Sequence, residues 1–141
     1  MITYVDTSTL IKLIIDEDGS DRADMIWQSA DQVAAASLIL VEASAALASA
    51  SRLGRLTKAR HLTAKTELGA LYDELHVATI TDQLVVEAAE LTEAEGLRGY
   101  DAVHLAAALM IGATILTSAD TALCEAAARR GLHTANPLDG T

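Results

Sequence analysis

Four acidic residues stand where an α/β chain could use them for chemistry: Asp6, Glu42, Asp101 and Asp120. Asp6 closes the β-prone opening run Ile2-Thr3-Tyr4-Val5, and Asp120 follows a second such run, Thr114-Ile115-Leu116-Thr117. Asp101 comes just after a glycine, in Arg98-Gly99-Tyr100-Asp101-Ala102-Val103-His104. Taken singly, an Asp at a strand end or helix start is most simply a turn former or an N-cap. Glu42 resists that account, because it sits among Leu38, Ile39, Leu40, Val41 and Ala43. A carboxylate in such surroundings is costly to bury unless it is paired or metal-bound. No Lys or Arg lies three or four residues away, which leaves a distant partner or a cation. Four acids gathered at one edge would raise one another's pKa values, and a divalent cation would relieve the repulsion. Oxygen-only ligands favour Mg2+ or Mn2+ over zinc.

Gathering them requires a particular arrangement of elements. Residues 2–6 read as a strand, and Thr7 or Ser8 can cap a helix carrying Leu10, Leu13 and Ile14 at core spacing. A turn at 16–19, a helix at 20–30 and a strand at 33–36 follow. Ser37 then caps a long helix ending near Gly54, and 57–75 is a further helix. Beyond it come a strand (76–80), a helix (82–95) closed by Gly96, and a helix (100–111) with Gly112 as C-cap. The last elements are a strand (114–117), a helix (119–130) stopped by Arg129, Arg130 and Gly131, and a short strand (133–135). The tail after about 137 is expected to be loose. Strands alternate with helices and are apolar throughout, which predicts a parallel sheet of four to five strands under helices on both faces. With no linker, repeat or low-complexity segment, residues 1–141 read as one α/β domain of three α/β/α layers.

Composition narrows the functions available. Of 141 residues 51% are hydrophobic, enough for a core built of Ala, Leu, Ile and Val. Aromatics amount to one Trp, three Tyr and no Phe, which argues against RNA modules built on exposed aromatic platforms. The net charge of −10 opposes non-specific binding to a phosphate backbone. Half of the ten basic residues, however, fall in one acid-free stretch: Arg52, Arg55, Lys58, Arg60 and Lys65. They could grip RNA or an acidic partner, or form a solvated helix face. A single cysteine, Cys124, fits a reducing cytoplasm. The opening residues lack the basic and apolar regions of a signal peptide. The most apolar run, 102–116, is broken by His104, Gly112 and Thr114 and is shorter than the roughly 18–20 residues of a membrane span. A cytoplasmic protein without a membrane segment is the expectation.

The segments Tyr4-Val5-Asp6-Thr7-Ser8, Glu42 in the third helix, Tyr100-Asp101-Ala102-Val103-His104-Leu105-Ala106 and Thr117-Ser118-Ala119-Asp120 resemble the PIN-domain family. Within it they are most similar to the VapC ribonucleases of VapBC toxin–antitoxin pairs. The resemblance runs the whole chain in order, and the Tyr-Asp-Ala-x-His-Leu-Ala segment is its most specific part. It implies a PIN-like fold and an acidic pocket of Asp6, Glu42, Asp101 and Asp120 holding Mg2+ or Mn2+. Asp6 and Asp101 would be the principal metal ligands, with Glu42 and Asp120 completing the set directly or through water. Thr7 and Ser118 would orient carboxylates or phosphate, or serve only as helix caps. The resemblance further implies RNA cleavage, a homodimer and a cognate antitoxin, so that the chain would be the toxin of a type II toxin–antitoxin system.

The chemistry expected is metal-assisted phosphodiester hydrolysis, in which no side-chain nucleophile is needed. None is offered: Cys124 lies in a helix without an evident His partner, and there is no Gly-x-Ser-x-Gly. His104, three residues after Asp101, is a core histidine or touches the site. Trp27, beside Met25 and Ile26, belongs to the core or to a partner groove. A receiver-like signalling domain would need a Lys near Thr117 and a second acid close to Asp6, and has neither. A haloacid-type phosphatase would show Asp-x-Asp where this chain has Asp6-Thr7-Ser8. A non-catalytic PIN-fold binding module is the remaining alternative, and the intact acidic set opposes it.

Overall fold

The apolar runs become parallel strands. In a computed structural model that describes residues 1–139, β1 (Ile2–Val5), β2 (Gln32–Ala36), β3 (His76–Ala78), β4 (Ile115–Thr117) and β5 (His133–Ala135) form one sheet. Its five strands run in the order β3-β2-β1-β4-β5, with every pairing parallel. The central strands show no inside–outside alternation. Tyr4 and Val5 of β1 and Ala34, Ala35 and Ala36 of β2 are all buried, as they must be where helices cover both faces. The helices are α1 (Thr7–Lys12), α2 (Ser20–Ser29), α3 (Leu38–Arg52), α4 (Lys58–Glu74), α5 (Asp82–Glu95), α6 (Gly99–Met110) and α7 (Thr121–Arg129).

Strand order decides which helix lies where. Crossovers between parallel strands are right-handed, so the walk β1-β2-β3 lays α1 to α4 on one face, and the return β3-β4-β5 lays α5 to α7 on the other. The helix contacts agree: α1 packs on α2 and α3, and α3 on α4, whereas α6 packs on α5 and α7. The direction of travel reverses between β1 and β4. Connections leaving that point diverge and open a crevice at the carboxyl ends of the strands. The register aims Asp6 into it. Val5 lies opposite Thr117, the Asp6 N–H donates to the Thr117 carbonyl at 3.0 Å, and Asp6 and Ser118 emerge side by side.

Small residues allow close layers. Ala102, Ala106, Ala107 and Ala108 of α6 are buried, and α6 lies directly against β2. Fully buried leucines fill the remaining space, among them Leu10, Leu47, Leu84, Leu105, Leu116 and Leu123, each worth about 1.5–3 kcal/mol of burial. At the far end of α7 the guanidinium groups of Arg129 and Arg130 grip the Glu95 carboxylate at 2.7 and 2.8 Å, tying α7 to α5. Among the described residues no helix is long and apolar enough to cross a membrane.

One expectation is corrected. β3 ends at Ala78 rather than 80, because its register with β2 closes at the pair Ala36–Ala78 and no partner strand extends further. Ile80 and Thr81 instead lead into α5, where the Thr81 hydroxyl accepts the Leu84 N–H. Pro137 is buried, and its carbonyl oxygen comes within 2.9 Å of where a Cβ on Gly19 would stand; of the tail expected to be loose beyond it, 138 and 139 are exposed and 140–141 lie outside the described residues. Gly19 has φ +88°, which a side chain resists. Gly19→Ala is therefore expected to lower stability by about 1–3 kcal/mol, seen as a lower urea midpoint with an unchanged slope. An unchanged midpoint would mean that the Pro137 segment does not hold this position in solution.

Candidate active site

Asp6 is the N-cap of α1, the role that sequence gave to Thr7 or Ser8, and its carboxylate does more than cap. Oδ2 accepts the hydroxyls of Ser8 at 2.7 Å and Ser118 at 2.8 Å, and more distantly the Ser8 N–H at 3.4 Å. The two hydroxyls are themselves fixed: Ser8 Oγ accepts the Ala119 N–H at 2.9 Å, and Ser118 Oγ accepts the Asp120 N–H at 3.0 Å. One carboxylate oxygen thus stitches the loop after β1 to the loop after β4. The other, Oδ1, faces His104 Nε2 at 3.6 Å. Asp6 is only 6% exposed, so this anchoring is what permits a carboxylate there.

Glu42 has the distant partner that its apolar neighbours demanded. Its Oε1 accepts the Thr7 hydroxyl at 2.9 Å and is hydrogen-bonded to Nε2 of the fully buried His104. The other ring nitrogen, Nδ1, lies 2.6 Å from the Tyr4 phenol oxygen, which also accepts the Ala36 N–H at 2.9 Å. In the neutral ring, Nε2–H donates to Glu42 and the Tyr4 hydroxyl donates to Nδ1, so every group in the relay has a partner. Burial by itself depresses the His104 pKa. The Glu42 hydrogen bond and the charges of Asp6, Glu42 and Asp101 outweigh it, and the net direction is upward. Burial raises the Tyr4 phenol far above its ordinary range, which keeps it neutral and able to donate.

The remaining pair sits at helix starts. Asp120 caps α7, its Oδ1 accepting the N–H groups of Ala122 at 2.9 Å and Leu123 at 3.2 Å. Asp101 lies in the first turn of α6. Its pKa is raised, chiefly by burial and then by the charges of Asp120 and Asp6, against the pull of Arg98. Arg98 reaches both partners loosely, with Nε 3.5 Å from Asp101 Oδ2 and a terminal nitrogen 3.6 Å from Asp120 Oδ2. Burial also pushes the Cys124 thiol up to about 11, so the one cysteine is no nucleophile at neutral pH.

The fold therefore gathers Asp6, Glu42, Asp101 and Asp120 at one crevice, with Thr7 bonded to Glu42 and Ser118 to Asp6. Their donors are hard oxygens, and the Asp101 carboxylate is destabilised by burial and then by its acidic neighbours even with Arg98 beside it. Both features fit a divalent cation. As they stand, no three acidic, His or Cys side chains among the described residues are placed to hold a metal ion. The hydrogen bonds account for this: His104 and Thr7 draw Glu42, the start of α7 takes one oxygen of Asp120, and Arg98 reaches both Asp101 and Asp120. Two residues of the site were not singled out from sequence, Ser8 and Arg98. The only signals were a hydroxyl two residues after an N-cap Asp and a base three residues before Asp101. The basic stretch is divided. Arg60 bonds the Ile14 carbonyl and Glu67, and Arg55 approaches Glu17 at 3.8 Å, whereas Arg52, Lys58 and Lys65 are exposed.

A parallel α/β/α sandwich with carboxylates converging at its switch point defines a recognisable class. The PIN domain family matches residues 3–129. Ribonuclease VapC45 of Mycobacterium tuberculosis (strain CDC 1551 / Oshkosh) is 34% identical over 133 residues, covering 94% of this chain and 88% of the relative. Among solved structures, PAE2754 from Pyrobaculum aerophilum superposes with a TM-score of 0.73 at 23% identity, covering 95% of this chain and 83% of that one. A toxin–antitoxin complex from Klebsiella pneumoniae gives 0.69 at 18% identity, covering 96% and 97%. The chain belongs to the PIN-domain family, in its VapC-type branch.

A raised pKa at Asp101 means that its ionised form strains the fold. That destabilisation is absent below the ordinary Asp value of 3.8 and grows as pH rises through the elevated folded value. In metal-free protein, Asp101→Asn should therefore melt higher than wild type at pH 7 and equally at pH 3. A variant that melts lower at pH 7 would contradict the crowding of these acids.

Proposed function

We propose that the chain is a metal-dependent endoribonuclease that hydrolyses RNA phosphodiester bonds. The observation that carries this reading is the convergence of Asp6, Glu42, Asp101 and Asp120 at the crevice between β1 and β4, where His104 reaches both Asp6 and Glu42 and Arg98 reaches both Asp101 and Asp120. Membership of the VapC-type branch supports RNA as the substrate and a cognate antitoxin as the partner, making this the toxin of a type II pair. A homodimer in the cytoplasm completes the proposal.

The residues divide the work. Asp6 Oδ1, Asp101, Asp120 Oδ2, which Arg98 meets at 3.6 Å, and Glu42 would hold Mg2+ or Mn2+. Such a cation would activate water for in-line attack and neutralise charge on the leaving oxygen. Ser8 and Ser118 hold the Asp6 carboxylate through Oδ2 and leave Oδ1 outside those bonds, 3.6 Å from His104 Nε2. Thr7 and the Tyr4–His104 pair hold Glu42 in turn. Within the basic stretch, Arg52, Lys58 and Lys65 are exposed cations without a salt-bridge partner among the described residues, available to draw the RNA backbone across a largely acidic surface. Arg60, tied to the Ile14 carbonyl and Glu67, serves the fold instead.

The test is cleavage of a mixed RNA pool by the purified chain with Mg2+, with Mn2+ and with EDTA. Asp6→Asn and Asp101→Asn should abolish cleavage while the protein stays folded. Ser118→Ala should lower it about 10–100-fold, the usual effect of removing a group that orients a metal ligand. Cleavage that persists in EDTA, or at the wild-type rate in Asp101→Asn, would overturn the reading.

A further inference from the structure

An exposed aromatic ring borders the acidic crevice of a chain that has few aromatics to expose. It has one Trp and three Tyr. Tyr4 is fully buried, Trp27 and Tyr72 pack against the core, and Tyr100 is 65% exposed. Tyr100 directly precedes Asp101 and, with Glu42, Arg98, Gly99 and Asp101, lines a hollow of about 350 Å³. Its ring contributes little to the core, and its position beside the carboxylates calls for another use.

Arg98 stands at the same hollow with its side chain 86% exposed. Its contacts to Asp101 and Asp120, at 3.5 and 3.6 Å, are long beside the 2.7–2.9 Å of a tight charge-assisted bond. The guanidinium is therefore free to change partner. It makes no side-chain capping bond to α6, so the helix start does not depend on it. Between the two residues, Gly99 presents bare backbone where even a Cβ would meet nothing within 4 Å.

We propose that Arg98 and Tyr100 form a nucleotide subsite beside the acidic crevice, the guanidinium taking a phosphate and the phenol ring stacking on an unpaired base of single-stranded RNA. The proposal rests on the RNA-cleaving reading above and gives that reading its strand preference. Stacking needs a base face that a duplex keeps covered, and one ring tolerates any base. The guanidinium answers the objection raised by a net charge of −10. The phosphate meets a cation at the point where the strand must approach the carboxylates.

The experiment measures binding of a short labelled single-stranded oligoribonucleotide to the full chain by fluorescence anisotropy. Ca2+ is present, and the oligomer is checked on a gel for integrity. Tyr100→Ala should weaken binding about tenfold and Tyr100→Phe less than about twofold. An abasic nucleotide moved along the oligomer should reproduce the Tyr100→Ala loss at one position in wild type and add nothing in that variant. Arg98→Gln should weaken binding and reduce the salt slope by about one, while Mn2+ affinity measured without RNA does not fall. A blunt duplex of the same sequence should bind wild type and Tyr100→Ala alike. Equal single-strand binding by wild type and Tyr100→Ala would overturn the subsite while leaving the ribonuclease reading intact. So would Tyr100→Ala sparing RNA but losing a co-purifying antitoxin, which would make the ring a protein contact. A wild type that neither binds nor cuts RNA would bring down the ribonuclease reading and the subsite with it.

Discussion

Several carboxylates crowded at one edge of a sheet repel one another and lose hydration, and the surrounding structure is arranged to hold them there regardless. The most heavily anchored is Asp6. Its Oδ2 takes two serine hydroxyls, each fixed by a backbone N–H of the loop after β4. The same bonds that make a buried carboxylate tolerable also fix its orientation, because Oδ2 is committed and Oδ1 is left beside His104. Ser8 and Ser118 hold the β1 and β4 loops together as well as the site.

Glu42 is held by a different device. It comes from the opposite helical layer to α6, yet it is bonded to His104 of α6 through the sheet edge. The relay from the Ala36 N–H through Tyr4 and His104 to Glu42 crosses β2, β1, α6 and α3. Every member is satisfied in the neutral tautomer, and a fully satisfied buried network specifies one arrangement rather than several. The two layers of helices are thereby fixed relative to each other at the site, and a shift of α6 would be felt at Glu42. Asp101 and Asp120 share a different partner, Arg98, a long side chain largely in water, and Asp120 is tied to the start of α7 as well.

Charge is distributed to the same end. The chain carries twice as many acids as bases, and several bases are spent on structure. Arg129 and Arg130 clasp Glu95, Arg60 ties α4 to Ile14 and Glu67, and Lys12 is buried against Glu17 at 3.1 Å. The cations left exposed are few and local, so attraction to a polyanion is confined to particular places rather than spread over the surface.

The amino-acid sequence by itself determined the alternation of strands and helices, the parallel sheet and the four acids. These are local matters: apolar runs of strand length, helical spacing of leucines and alanines, and a glutamate with no partner within its own helix. It also carried the Tyr-Asp-Ala-x-His-Leu-Ala segment on which the family resemblance rested. Only the tertiary structure decided that β1 lies between β2 and β4, which brings Asp6 beside Ser118, 112 residues away. It decided too that Glu42 finds its partner in His104 and that Arg98 spans Asp101 and Asp120. The bonds that Ser8 and Arg98 make to the acids were not legible, because a serine or an arginine looks the same in sequence whether it faces water or a carboxylate. What it faces is set by strand order and register, which depend on the packing of the whole chain.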